Sequence, residues 1–303
     1  MRALVADGAA PGRIALHDVP EPFVAPGDVL VDVRAVSLNR GEMRMLGTAA
    51  DGWRPGWDFA GVLHSDGPGG LRAGARVLGI GAGGSWAQRV AVPVGWVAAL
   101  PDTVTFAQAA ALPTAGLTAL RTLRLGPAIL GRRVLVTGAS GGVGRFAVQV
   151  ARLGGAHVTA LVGNRDRAAS VCALGAHNVL MDVSELRGVF DLILESVGGD
   201  TLAALLTKVD PDGTLVMFGN SSGQTTTFNA RDLYLDASVQ LRGFELFHQP
   251  APFGRDLAYL AGLVAEGALD PQLADELPWT EMPTALRRLG DREVSGKLAL
   301  IVM

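Results

Sequence analysis

Hydrophobic and polar positions follow two different patterns along the chain. In the first 112 residues, Gly, Pro and Asp turns separate short β-like runs, which lie at 2–6, 29–35, 59–64, 76–80 and 87–92. This pattern is typical of a compact β-rich domain with a partly closed sheet. An alanine-rich helix candidate at 105–112 is then interrupted by Pro113. From there to about Phe247, strand and helix signals alternate, which predicts an α/β fold with a parallel doubly wound sheet.

The alternating region contains six predicted strands, the number in a complete doubly wound sheet. They lie at 134–137, 157–162, 178–181, 190–195, 214–218 and 239–243. After residue 248 the pattern changes to two helix candidates, at 255–266 and 280–289, and a closing strand at 297–302. We therefore predict two domains, one formed by residues 1–112 and 249–303 and the other by residues 113–248.

The stretch 132–167 carries the strongest chemical signal. A buried strand leads into a turn of sequence GASGGVG at 138–144, and apolar residues then recur at the spacing of one helix face. A helix N-terminus offers unpaired amides and a favourable dipole to an anion, and glycines let a pyrophosphate approach the backbone. The unit therefore predicts a Rossmann dinucleotide site, with the phosphates against Ser140, Gly141, Gly142 and Val143. An ordinary turn without a ligand is the alternative.

The end of the second strand of this unit distinguishes between the two nicotinamide dinucleotides. An NAD site usually places an acidic residue about 20 residues past the glycines, where it bonds the ribose 2′-hydroxyl. Here Asn164 holds that position, and Arg165 and Arg167 flank it. Because guanidinium groups bind phosphate through paired, charge-assisted hydrogen bonds, we predict NADP(H) as the cofactor. Asp166 leaves open the alternative that both arginines are solvated at the start of the next helix.

Two further loops follow predicted strands at their carboxyl ends, where open α/β sheets bind ligands. The loop SVGG at 196–199 follows the fourth strand, and GNS at 219–221 follows the fifth. We expect Val197, Gly219 and Asn220 to border the cofactor. Glycines at these places can also serve simply as turn residues.

Composition limits the classes of protein to consider. Hydrophobic residues make up 49% and charged residues 18% of the 303 residues, which fits a folded globular protein. The net charge of −3 gives no electrostatic case for nucleic acid or a membrane surface as partner. Cys172 is the single cysteine, which excludes an internal disulfide and a cysteine-based zinc site. The chain starts without a basic-then-apolar leader, and no apolar run approaches the roughly 18 residues that span a bilayer, so we expect a cytoplasmic protein.

Six fragments run through the chain in a specific order and spacing. They are SLN at 37–39, GWDFAGV at 56–62, AAALP at 109–113, GLTA at 116–119, the turn at 138–144, and SGKL at 295–298. Together they resemble the medium-chain dehydrogenase/reductase superfamily, and within it the zinc-free quinone oxidoreductase branch. The resemblance implies a Rossmann NADP-binding domain and a β-rich GroES-like catalytic domain, with Lys297 among the cofactor residues. It also implies a cleft bordered by Asn39, Trp57 and Thr118. Each has a purely structural alternative: Asn39 as a turn residue, Trp57 as part of the core, and Thr118 as an ordinary helix residue.

The zinc alcohol dehydrogenases of this superfamily carry a catalytic cysteine where Asn39 stands, and a His-Glu pair where Trp57 and Asp58 stand. A catalytic zinc needs about three nitrogen, sulfur or oxygen donors, so we expect no metal site. Without a Lewis acid, hydride addition to an activated alkene is easier than reduction of a simple carbonyl, because the charge delocalises. The resemblance therefore implies NADPH-dependent reduction of a quinone or an α,β-unsaturated carbonyl.

No residue can be assigned as the proton donor. Enoyl-thioester reductases of the family use a tyrosine shortly after the asparagine, whereas the two tyrosines here are Tyr234 and Tyr259. Two alternatives therefore stay open, a biosynthetic enoyl or imine reductase for one specialised metabolite and a cofactor-binding protein without turnover.

The last parallel strand would leave an open sheet edge, where family members commonly pair, so we expect a homodimer that acts on a small molecule.

Overall fold

The computed structural model describes residues 1–234 and 239–303. This part of the chain divides into two compact units, unit 1 with Met1–Leu117 and Pro250–Met303, and unit 2 with Thr118–Gln249. The strands are β1 (Arg2–Ala6), β2 (Ile14–Asp18), β3 (Asp28–Ser37), β4 (Asp58–Leu63), β5 (Arg76–Ile80), β6 (Arg89–Pro93), β7 (Val97–Ala99), β8 (Arg133–Thr137), β9 (His157–Leu161), β10 (Asn178–Leu180), β11 (Phe190–Glu195), β12 (Val209–Met217), β13 (Gln240–Gly243), β14 (Leu273–Pro278) and β15 (Lys297–Ile301). The helices are α1 (Arg40–Thr48), α2 (Phe106–Ala110), α3 (Pro113–Leu123), α4 (Gly142–Leu153), α5 (Ala168–Ala173), α6 (Gly199–Leu205), α7 (Gly254–Ala265) and α8 (Met282–Gly290).

The main sheet of unit 1 is built around β3. Its strand order is β14-β15-β3-β4-β5-β7, and β6 also pairs with β3. Alternate residues of β3 point inward, so Val29, Val31 and Val33 are buried in the core. The closing strand β15 lies antiparallel beside β3, with Leu300 opposite Val36. This pairing brings the start of β15 to the end of β3.

Unit 2 is organised around a parallel sheet with the order β10-β9-β8-β11-β12-β13 in the described residues. Its central strands are apolar along their length because both faces are covered, and Val134, Leu135 and Val136 of β8 are fully buried. The chain first adds β9 and β10 on one side of β8 and then β11 to β13 on the other. The carboxyl ends of β8 and β11 therefore form a topological switch point, where open α/β sheets bind ligands. The predicted α/β class with a doubly wound parallel sheet is confirmed.

Several elements differ from the sequence-based prediction. Strands β2, β7 and β14 and helix α1 were not predicted, and β12 begins five residues earlier than expected. Pro113 does not end a helix but begins α3. Its fixed φ suits the first helical position, and the N–H that proline lacks has no intrahelical partner there. No helix in the described ranges is both long enough and apolar enough to cross a bilayer.

Candidate functional site

The turn between β8 and α4 has the close packing that its glycines predict. Gly138 adopts a positive φ of 55°. A Cβ atom at Gly144 would lie 2.4 Å from the carbonyl oxygen of Gly138 and 2.6 Å from the Cα atom of Ala139. Only glycine at 144 lets α4 approach the end of β8 this closely.

The predicted phosphate-binding residues meet at the N-terminus of α4. Gly141 is the N-cap residue and is exposed, Gly142 and Val143 are half-buried in the first turn, and Ser140 is buried behind them. First-turn amides have no intrahelical acceptor, so they are available to an anion. This end of the helix therefore fits the pyrophosphate of a dinucleotide.

The segment after β9 lies beside this turn. The amide of Ala139 donates to the carbonyl oxygen of Leu161 at 3.2 Å. Asn164 caps a short 3-10 turn at Arg165–Arg167, and its Oδ1 accepts from the backbone N–H of Asp166 at 2.8 Å. Arg165 is exposed and Arg167 half-buried. Both arginines therefore follow the strand that lies next to the glycine turn.

The loops after β11 and β12 are held against each other. Backbone amides of Ser221 and Ser222 donate to the carbonyl oxygens of Ser196 and Val197, both at 2.9 Å. A Cβ atom at Gly198 would lie 2.3 Å from Oδ1 of Asn220. Val197, Gly219 and Asn220 are thus brought together at the carboxyl ends of adjacent strands, on the β11 side of the switch point.

Glu195 anchors this loop pair and was missed from the sequence. Its buried Oε1 accepts from the amide of Val197 at 2.7 Å, the amide of Gly198 at 3.1 Å and the hydroxyl of Thr137 at 3.2 Å. Burial raises the pKa of the Glu195 carboxyl, and these hydrogen bonds act in the opposite direction. Through these hydrogen bonds, the Glu195 side chain fixes the backbone of the loop that follows β11.

Unit 1 contains a polar network, which we call the Asn39 cluster: the buried residues Glu42, Asp58 and Lys297 with the half-buried residues Asn39 and Thr114. The Nδ2 group of Asn39 donates to Asp58 Oδ2 at 2.8 Å and to Glu42 Oε2 at 3.2 Å, and its Oδ1 accepts from Lys297 Nζ at 2.7 Å. The ammonium of Lys297 also donates to Asp58 Oδ2 at 3.3 Å and to the carbonyl oxygen of Leu38 at 2.9 Å. Both Nδ2 hydrogens and all three ammonium hydrogens therefore have acceptors.

The two carboxylates of the cluster tie three elements together. Asp58 Oδ1, at the start of β4, accepts from the amide of Thr114 at 2.8 Å and from its hydroxyl at the N-terminus of α3. Glu42 Oε1, in α1, accepts from the amide of Trp57 at 2.6 Å. Both carboxylates are fully buried, and Lys297 is 3% exposed. Burial, and next the charge of Asp58, raise the pKa of Glu42 to about 8, whereas Lys297 and two backbone amides lower it.

The predicted catalytic residues divide between the two units. Asn39 is in the cluster, and Trp57 adjoins it through its backbone, while its half-buried ring packs so closely on Gly41 that a Cβ there would lie 2.4 Å away. Thr118 lies in the part of α3 that belongs to unit 2, buried, with its carbonyl oxygen accepting from the hydroxyl of Thr122 at 2.7 Å. Lys297 lies in unit 1 with the cluster, and its role toward the cofactor stays a prediction.

The cluster does not fit a catalytic zinc. In the ranges that the structure describes, no group of three or more His, Cys, Asp or Glu side chains is placed to hold a metal ion. Asp58 already faces an ammonium, and both of its oxygens accept hydrogen bonds from Lys297, Asn39 and Thr114. A zinc needs about three donors free to coordinate it, and these residues do not supply them.

Comparison with known proteins gives a consistent pattern. Family models match residues 25–102, as an alcohol dehydrogenase GroES-like domain, and residues 142–258, as a zinc-binding dehydrogenase domain. A mycocerosic acid synthase-like polyketide synthase of Mycobacterium tuberculosis is 32% identical over 311 residues, which cover 91% of this chain. The chain spans 14% of the length of that relative.

Solved structures match over the whole chain. A quinone oxidoreductase from Coxiella burnetii is 26% identical with a TM-score of 0.84, covering 100% of this chain and 99% of that one. The yhdH oxidoreductase from Salmonella enterica, solved in complex with NADP, is 25% identical with a TM-score of 0.84, covering 100% of both chains.

Proposed function

The chain belongs to the medium-chain dehydrogenase/reductase superfamily, and from this premise we propose that it is an NADPH-dependent, zinc-independent oxidoreductase that reduces quinones or α,β-unsaturated carbonyls. Unit 2 binds the cofactor, and unit 1 supplies the Asn39 cluster. Bound NADPH supplies the hydride, and delocalisation into an enolate or a hydroquinone anion accommodates the charge that remains.

The N-terminus of α4, with two arginines after the neighbouring strand, is the observation that carries the proposal. Backbone amides at Gly142 and Val143 hold the pyrophosphate, and Gly141 leaves room for it. Arg165 and Arg167 meet the 2′-phosphate that distinguishes NADPH from NADH. The Salmonella enterica structure with NADP supports the same cofactor for this chain.

The hydrogen bonds within the Asn39 cluster support a quinone or an activated alkene as the acceptor. Asp58 and Glu42 are occupied by hydrogen bonds within the cluster, so a simple carbonyl would find no metal ion to polarise it. The Asn39 amide has both of its hydrogens engaged, and it acts by keeping the cluster fixed rather than by donating to substrate. An activated alkene or a quinone needs less stabilisation of its developing charge than a ketone does.

The polyketide synthase relatives favour a second candidate, a biosynthetic enoyl reductase. A growing polyketide carries its double bond next to a thioester carbonyl, so the chemistry is the same hydride addition to an activated alkene. The acceptor would then be a carrier-bound or specialised metabolite instead of a free quinone.

Steady-state oxidation of NADPH with benzoquinone, naphthoquinone, an alkenal and an enoyl thioester distinguishes these candidates. Turnover with the quinones or the alkenal supports the first proposal, and turnover confined to the thioester supports the second. Tight NADPH binding with no turnover on any acceptor would identify a cofactor-binding protein instead.

The exposed edge of unit 2 supports a homodimer. Strand β13 pairs with β12 on one side, all four of its residues are exposed, and Leu241 is 41% exposed. Open strand edges of this kind are usually paired or covered. Sedimentation at micromolar concentration tests this, and particles of about 31 kDa alone would contradict it.

A further inference from the structure

Arg145 is a buried cation behind the cofactor-binding turn. It lies in the first turn of α4, yet the residue is 3% exposed, whereas Gly141 one turn earlier is open to solvent. Its Nε group donates to the carbonyl oxygen of Ser140 at 3.1 Å. The guanidinium therefore holds the backbone of Ser140, which directly precedes the residues proposed to bind the pyrophosphate.

The same guanidinium also reaches the segment that follows β9. Its Nη2 group donates to the hydroxyl of Ser170 in α5 at 2.7 Å. That hydroxyl in turn donates to the carbonyl oxygen of Arg167 at 2.8 Å. A continuous set of hydrogen bonds thus runs from Ser140, through Arg145 and Ser170, to the backbone of Arg167.

We propose that Arg145 is a positioning residue for the 2′-phosphate, because it sets the distance between the glycine turn and the segment Arg165–Arg167. This inference rests on the proposed NADP(H) function. In the cofactor, the pyrophosphate and the 2′-phosphate are attached to one ribose, so their spacing varies little. The glycine turn, which binds the pyrophosphate, and the segment Arg165–Arg167, which binds the 2′-phosphate, must therefore keep a matching distance. A planar guanidinium with a fixed fork of donors is suited to hold that distance.

Loss of the hydrogen bonds from Ser140 through Arg145 and Ser170 to Arg167 affects the binding of the two nicotinamide dinucleotides differently. Both place a pyrophosphate at Ser140 and the following amides, so both depend on the turn. NADPH alone also places a phosphate at Arg165 and Arg167, so it alone depends on where that segment lies. Loosening the link between the segments therefore lowers the affinity for NADPH more than the affinity for NADH.

Ser170→Ala is the most specific test, because it removes the hydroxyl that links Arg145 to the backbone of Arg167 and keeps every guanidinium. Alanine is also the best helix former, so α5 is retained. We expect the dissociation constant of NADPH, measured by calorimetry on the full chain, to rise about fivefold, as for one lost hydrogen bond. The dissociation constant of NADH should change by less than about twofold. Arg145→Met should raise the NADPH value at least about tenfold, and Arg145→Lys, which keeps the charge, should restore part of the preference.

Arg152→Gln is the matched control, since Arg152 lies in the last turn of α4 and donates to the carbonyl oxygen of Ala156 and to His177. It should leave both dissociation constants unchanged. An unchanged NADPH-to-NADH ratio in Ser170→Ala, or an equal loss of both affinities, would overturn the positioning role while leaving the proposed function intact. If Arg145→Met does not fold, Ser170→Ala decides alone. Wild-type protein that binds neither dinucleotide would refute the proposed function itself.

Discussion

Glu42→Gln tests whether the Asn39 cluster holds a proton that the unfolded chain releases. In the folded protein, burial and then the charge of Asp58 raise the pKa of Glu42 from 4.5 to about 8. Between these values the folded state binds about one proton more than the unfolded state. The stabilising contribution of the carboxyl is therefore complete below its unfolded pKa and is lost as the pH rises through the folded pKa.

The magnitude follows from the pKa difference. A difference of one bound proton changes the free energy of unfolding by about 1.4 kcal/mol per pH unit. Wild-type protein should therefore lose about 3–4 kcal/mol between pH 5 and pH 8 through this group, because the proton difference falls below one at both ends of that range. Glutamine does not titrate, so the variant lacks this slope. The NH₂ group of the glutamine faces a backbone N–H that donates a hydrogen bond to Glu42 in the wild type. The loss of that hydrogen bond lowers the free energy of unfolding by about 1–3 kcal/mol at every pH.

Urea denaturation at several pH values and constant ionic strength measures both effects. The difference in unfolding free energy, wild type minus Glu42→Gln, should fall as the pH rises, on top of a constant offset. Glu266→Gln, at the exposed end of α7, is the control and should follow wild type. Parallel curves for wild type and Glu42→Gln would refute the reasoning, because they would mean that Glu42 stays ionised throughout.

Three other substitutions test separate parts of the account. Lys297→Met leaves the buried carboxylate of Asp58 without its cation, so the free energy of unfolding in urea should fall by about 3–5 kcal/mol. Gly144→Ala places a Cβ 2.4 Å from a turn carbonyl oxygen, and overpacking at this contact should cost about 1–3 kcal/mol in the same assay. Arg165→Ala should weaken the binding of 2′,5′-ADP about tenfold, as measured by calorimetry, because a charge-assisted contact to the 2′-phosphate is lost.

Matched controls separate these effects from general damage. Lys208→Met removes a half-buried lysine in the short 3-10 turn that follows α6 and should stay within about 0.5 kcal/mol of wild type. Gly163→Ala adds a Cβ that meets no atom within 4 Å, so its stability should match wild type. Equal losses for Lys297→Met and Lys208→Met, or for Gly144→Ala and Gly163→Ala, would contradict the packing described here. Unchanged 2′,5′-ADP binding in Arg165→Ala would argue that this arginine is solvated.

The glycine turn could be predicted from sequence because its determinants are local. A buried strand, the turn and the helix periodicity lie within some 20 residues, and the structure has α4 beginning at Gly142 as the pattern requires. Helix α1 had a comparable signal that was overlooked. Asn39 and Glu42 have the spacing of a capping box, and the Glu42 carboxyl does accept a hydrogen bond from the backbone N–H of Asn39 at 2.8 Å.

The rest of the candidate site depends on contacts between distant parts of the chain. Lys297 and Asp58 are 239 residues apart in sequence and meet because β15 pairs with β3 beside β4. No local pattern specifies that meeting. Arg145 likewise had no local signal, because an arginine in a helix is normally solvated, whereas this one is buried and donates to Ser170 in a different helix.

Calorimetric titration of the intact protein with NADPH and, in parallel, NADH tests the central claim most directly. We predict one NADPH bound per chain, with a dissociation constant at least about tenfold lower than that for NADH, because two arginines meet the additional phosphate. No heat of binding with NADPH, or equal affinity for the two dinucleotides, would contradict the assignment of α4 and the neighbouring arginines as an NADPH site.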